Sequence, residues 1–172
     1  MKVKVFISVV VSLFVILPWS QGEAQCNKRH PLFSIKRSKN KNVVRYDACL
    51  LQNGNISGSN PVDVYWILEN GKKEELSALE KERAYGIESK ERLGENRFRI
   101  LIKALKNREI IVQKVKAGYK ALVRIGGELS ILEKVYVESE DKILGFPEVH
   151  YVDLFGRSLR TNKPVKERIN PN

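Results

Sequence analysis

Few side chains in this sequence could move a proton near neutral pH. They are His30, His150 and three carboxylates set among apolar neighbours, Asp47, Asp63 and Asp153. His150 with Asp153 and a serine could be drawn as a hydrolytic relay, yet no Gly-x-Ser-x-Gly elbow presents the serine. Two of the carboxylates meeting in a cleft would be the other hydrolytic route, and spacing alone does not say which two meet. His-Glu-x-x-His, Cys-x-x-Cys and phosphate-loop patterns are missing, so no metal and no cofactor is expected. A half-exposed strand histidine is the simpler account of His150.

Cations offer a different chemistry. Arg37, Lys39, Lys41 and Arg45 alternate with Ser38, Asn40 and Asn42, so that donors from one turn could converge on a carboxylate or phosphate. Arg37, Lys39, Asn40 and Arg45 are therefore candidate anion-binding residues, although an exposed hairpin turn has the same composition. A second candidate is a strand face carrying Arg97, Arg99, Lys103, Lys114, Lys116, Lys120, Arg124 and Lys134. Pairing across Asn107-Arg108 as a two-residue loop sets Ile100 against Val115 and Arg99 against Lys116. Pairing across Gly126-Gly127-Glu128 as a three-residue loop sets Val123 against Ile131 and Lys120 against Lys134. Like charges directly opposed cost stability, which an anionic partner would relieve; a solvated face accounts for the same residues.

The elements that position these groups follow from periodicity. Val62, Val64, Trp66 and Leu68 alternate with Asp63, Tyr65, Ile67 and Glu69 between turn residues, the pattern of a strand, and it reads as a central one. Further strands are expected over Leu32–Lys36, Val43–Leu51, Arg97–Leu105, Glu109–Ala117, Tyr119–Ile125, Leu129–Glu138 and Pro147–Phe155, with an edge pairing at Pro164-Val165. Ser77 and Glu80 form a capping box that opens one short helix. Glu138–Gly145 reads as a charged loop. About eight short strands, hairpin-length loops and one helix predict a mainly β fold, an antiparallel β-barrel or β-sandwich.

Residues 1–24 read as a signal peptide: Lys2 and Lys4, the apolar run Val5–Leu17, Pro18, then small residues at Gly22 and Ala24. Its removal leaves one domain over residues 25–160 and a basic tail over 161–172, about 150 residues in all. The apolar run is too short to span a bilayer comfortably, so no transmembrane segment is expected in the mature chain. Cys26 and Cys49 are the only cysteines, and in an oxidising compartment they are expected to pair. The formal net charge is +11, and loss of the leader changes it by one unit. So basic a chain suits anionic partners, such as an acidic glycan, a lipid headgroup or an acidic envelope protein; no nucleic-acid-binding motif is present.

The strings FSIKRSKNKNVVRYDA (Phe33–Ala48), NPVDVYWIL (Asn60–Leu68) and AYGI (Ala84–Ile87), with PEVHYV (Pro147–Val152) and KPV (Lys163–Val165) after them, resemble a family of exported bacterial proteins classed only as a domain of unknown function. The resemblance implies a single secreted domain and carries over no activity or site residue. The expectation for function is a non-enzymatic binding module for an anionic or amphipathic partner in the periplasm or outside the cell. The alternatives are a hydrolase with a carboxylate or His150–Asp153 site and a small barrel carrying an apolar ligand.

Overall fold

The computed structural model of the protein describes residues 26–140 and 147–170. The expected leader lies outside the described residues, as does most of the charged loop before Pro147. The strands are β1 (Lys28–Arg37), β2 (Val43–Leu50), β3 (Val62–Ile67), β4 (Lys73–Glu75), β5 (Ile87–Gly94), β6 (Arg97–Ile102), β7 (Ile110–Val115), β8 (Gly118–Ile125), β9 (Glu128–Glu140), β10 (Glu148–Ser158) and β11 (Pro164–Ile169). One short helix, α1 (Ala78–Glu80), starts at the Ser77–Glu80 capping box and continues as a wider turn closed by the Gly86 N–H on the Lys81 carbonyl.

The strands form one sheet in the order β4-β3-β2-β1-β9-β8-β7-β6-β5, with β10 on the other edge of β9 and β11 beyond it. The sheet curls into a half-barrel and is mixed, not purely antiparallel, because β1 runs parallel to β9 from Ser34↔Lys134 to Arg37↔Val137. A parallel pair needs a long connection, and here the whole of β2 to β8 supplies it. The strand of Trp66 is second from an edge rather than central; β9, the longest, holds the middle. Trp66 is half-buried near the end of the half-barrel, edge-on to Tyr85 at 5.3 Å, its indole donating to Glu80 Oε1 at 3.1 Å.

Alternation sends Val44, Tyr46 and Ala48 of β2, Ile100 and Ile102 of β6, and Val123 and Ile125 of β8 into the core. Each fully buried aliphatic side chain contributes about 1.5–3 kcal/mol. Phe33 stacks on Tyr46 at 4.4 Å, and the Tyr46 hydroxyl, wholly buried, donates to the Tyr85 carbonyl at 2.6 Å. These side chains fill the inside of the curl.

Two expected registers differ. The chain leaves the β6 ladder after Ile102 for a single 3-10 turn, so Ile100 faces Ile110 and Arg99 faces Ile111. Gly126 and Gly127 both take positive φ (59° and 81°) and make a two-residue turn, which pairs Ile125 with Glu128 and Val123 with Ser130. Lys120 then faces Gln113, while Lys134 lies between Ser34 and Phe155. The opposed like charges expected from sequence do not form. Within the tail, Pro164–Ile169 is a full strand and not a brief edge contact.

Cys26 and Cys49 are joined by a disulfide, with Cα atoms 5.0 Å apart, and the Asn27 N–H reaches the Leu50 carbonyl at 3.1 Å. The bridge ties the start of β1 to the end of β2. Replacing both cysteines by serine is expected to lower the unfolding free energy by about 3 kcal/mol, on the loop-closure entropy of a crosslink of this span. Urea unfolding monitored by far-ultraviolet circular dichroism reads it; an unchanged midpoint would show that the arm is held by other contacts.

Candidate functional site

The outer face of β9, β10 and β11 gathers aromatic rings and cations in registered rows. Val152 and Leu154 of β10 turn inward to the core, so Tyr151, Asp153 and Phe155 turn outward. Phe155 sits between Lys134 of β9 and Lys166 of β11; Asp153 sits between Tyr136 and Arg168; Tyr151 faces Glu138. A bulge between Phe155 and Gly156 lets the two strands approach closely. A Cβ on Gly156 would lie 2.1 Å from the Ile131 carbonyl oxygen, so only glycine fits there.

Asp153 is the electrostatic centre of this face. Arg168 donates from Nε and Nη2 to its two oxygens, each at 2.8 Å, and Lys166 Nζ approaches at 2.9 Å. Its side chain is only 4% exposed while those of Lys166 and Arg168 are 50% and 48% exposed, so the carboxylate is roofed by its own cations. The Arg168 hydrogen bonds, then those of Lys166, outweigh burial and hold its carboxyl well below the usual range. The same cations contact rings: Lys134 and Lys166 lie 4.5 and 5.1 Å from the centre of Phe155, and the Arg168 guanidinium 3.6 Å from that of Tyr151. The Tyr136 hydroxyl donates to Glu138 at 2.8 Å. Such a surface can bind by stacking and by charge.

A second cluster occupies the outer face of β2 and β3, where Asp47 and Asp63 stand directly opposite each other. Each has separate partners. Asp47 is buried and accepts from the Tyr65 hydroxyl at 2.5 Å and from Arg45 Nε at 3.4 Å. Asp63 accepts from Arg29 at 2.5 Å and Lys73 at 3.1 Å, and Lys73 also lies 4.0 Å from the centre of the Tyr65 ring. Burial raises the Asp63 carboxyl, but the two cations overcome this and the net direction is down. Burial and the bond to Asp47 push the Tyr65 phenol far up, so it stays a donor at physiological pH. Each carboxylate of the facing pair is thus taken up by its own donors, Asp47 by Tyr65 and Arg45 and Asp63 by Arg29 and Lys73.

The residues singled out from sequence fall in different places. Arg37, Lys39 and Asn40 share the turn from β1 to β2: Arg37 Nε donates to Ser139 Oγ at 3.3 Å, Lys39 takes φ 59° and reaches Glu140 at 4.0 Å, and Asn40 Oδ1 accepts from the Asn42 N–H at 2.9 Å. Arg45 belongs to the Asp47 cluster. Arg99 pairs with Glu91 at 2.8 Å and Glu109 at 3.6 Å, and Lys116 is exposed in the β7–β8 turn. His150 lies 3.8 Å from Glu140 rather than beside Asp153, whose oxygens are taken by Arg168 and Lys166. Sequence inspection missed Tyr136, Phe155, Lys166 and Arg168 as a set. The available signal was the shared alternation Lys134-x-Tyr136-x-Glu138, Tyr151-x-Asp153-x-Phe155 and Lys166-x-Arg168.

Among the described residues there is no group of three or more His, Cys, Asp or Glu side chains placed to hold a metal, and no helix long and apolar enough to cross a membrane. Fold and outer face define a half-barrel β domain with a cation- and aromatic-bearing surface. The chain belongs to the family described as domain of unknown function DUF4833, whose model matches residues 33–168. No curated protein and no solved structure matches it significantly.

A folded-state carboxyl below its usual range adds stability above the unfolded value, about 3.9 for Asp, and that stability drains as pH falls from there. Wild type and Asp153→Asn are thus expected to differ most in urea midpoint at pH 7 and to converge below about pH 4. A gap that stays constant down to strong acid would show that the charge on Asp153 is not what the cations hold.

Proposed function

We propose that this protein is a non-enzymatic binding module for an anionic partner, and that the outer face of β9, β10 and β11 is its contact surface. The observation that carries the proposal is Phe155 flanked by Lys134 and Lys166, one row from Asp153 and Arg168. An acidic glycan suits that arrangement best. Its sugar rings offer flat C–H faces to Tyr136, Tyr151 and Phe155, and its carboxylates or sulfates suit Lys134, Lys166 and Arg168. Asp153 is already neutralised by its own partners, so it opposes an anion less than a free carboxylate would. Export fits the same picture: residues 1–24 have the make-up of a leader, and the Cys26–Cys49 bridge suits an oxidising compartment where envelope glycans and headgroups are found.

Labelled oligogalacturonate in fluorescence polarisation tests this, with neutral dextran and anionic phospholipid vesicles as separate arms. Binding is expected to oligogalacturonate and not to dextran, weakening as salt rises. The double variant Lys134→Glu/Phe155→Ala, which leaves the Asp153 ion pairs in place, is expected to bind about tenfold more weakly with an unchanged circular dichroism spectrum. Vesicle binding alone would move the assignment to a headgroup. Absence of binding to either at low ionic strength would remove the proposal.

A further inference from the structure

A second surface follows from where the curl fails to close. On its outer edge β3 is paired by β4 only at Tyr65, Trp66 and Ile67. The chain then turns away: Leu76 is buried and Ser77 begins α1 through its capping box, so Val62–Val64, paired with β2 on one side, have no strand on the other. At the far end of the sheet order, β5 is paired by β6 alone. The curl brings these two unpaired edges to face each other across a cleft of about 410 Å³, lined among others by Val62, Asp63, Val64, Lys81, Ile87 and Lys90.

Side chains, not a ladder, hold this seam. Lys90 Nζ donates to the Ser59 carbonyl across it. At one end Asn96, in a left-handed conformation at φ 54°, accepts on Oδ1 from the Ile56 N–H at 2.8 Å and donates from Nδ2 to Asn55 at 2.9 Å. At the other, Tyr46 reaches the Tyr85 carbonyl. Between those ties lie backbone groups of two strands without a strand partner, which is the condition for strand addition.

The topology also fixes a direction. β3 is antiparallel to β2 and β2 to β1; β5 is likewise two antiparallel steps from β7 and four from β9, which is parallel to β1. β3 and β5 therefore run the same way. One strand running against both would make an antiparallel ladder on each side, and it would extend the line that β4 leaves at Glu75. Its alternate side chains would point inward beside Val62 and Val64 and outward beside Asp63, which already carries Arg29 and Lys73. Lys81 and Lys90 line this cleft with Asp63 and Glu75; Asp63 is already paired with Arg29 and Lys73 from outside the lining, and Glu75 with Lys73, so the two lysines of the lining are left to meet an incoming acidic side chain.

We propose that the slot between β3 and β5 accepts an extended peptide of alternating apolar and acidic residues from a partner protein, as an added strand that closes the half-barrel. The proposal is independent of the glycan surface, which lies on other strands. The probe is a capped peptide of four Val-Glu repeats, with a Val-Lys peptide of equal length as control, and the readout is amide hydrogen exchange by NMR. The Val-Glu peptide is expected to slow exchange at Val62 and Val64 and along β5 at least about tenfold. The Val-Lys peptide is expected to have little effect, and Lys81→Glu/Lys90→Glu to weaken the effect about tenfold. Lys134→Glu should respond as wild type does, which separates this outcome from that of the glycan test. Unchanged exchange at saturating peptide, or Val62 and Val64 amides already as slow as Tyr46 in the free protein, would overturn the proposal. So would protection that tracks protein concentration and dimer formation without peptide, which would assign the edges to a second copy.

Discussion

Strand β9 has two edges and three partners, and the shape of the molecule depends on how it divides them. β8 pairs with its first residues, from Glu128 to Ile131, and β1 with Lys134 to Val137, so one edge serves two strands in succession. β10 takes the opposite edge from Ser130 to Glu140. A sheet that branches at one strand cannot stay flat. The β1–β4 arm and the β8–β5 arm leave β9 from neighbouring stretches, and right-handed twist curls them toward each other. The core between the arms is filled from both, by Phe33 and Tyr46 on one side and by Ile100, Val112 and Val123 on the other.

The outer face follows a different rule. Asp47, Asp63 and Asp153 each sit on the outside of the sheet, low in exposure, and each has dedicated partners: Tyr65 with Arg45, Arg29 with Lys73, Arg168 with Lys166. A carboxylate covered without a cation would shift toward its neutral form, whereas Asp63 and Asp153 shift the other way. The strong positive balance of the chain is thus partly spent inside the outer layer. What stays exposed is the remainder, with rings laid beneath it at Tyr65, Tyr151 and Phe155.

Much of this was legible in the residue order. Two-residue alternation marks most of the strands, Ser77 and Glu80 announce the helix, and the cysteine pair needs no more than a count and a compartment. The misjudged loops at Asn107-Arg108 and Gly126-Gly127 show where legibility ends. Alternation says which face a side chain takes, not which residue stands opposite, and a turn one residue shorter exchanges every cross-strand neighbour. The opposition of Arg99 to Lys116 did not form because the connection after Ile102 is longer than a two-residue loop, and Arg99 met Glu91 and Glu109 instead.

By itself the sequence determined a basic, mostly β domain with one capped helix turn and a disulfide at its start, because these are local or compositional properties. Only the tertiary structure decided that β1 lies parallel to β9, that Asp153 is clasped from β11, and that the outer edges of β3 and β5 line one cleft. Those pairings join residues far apart in the chain, and no local pattern encodes a partner strand. The choice is made by which arrangement buries both arms of the sheet at once, a free-energy comparison that exists only for the whole chain.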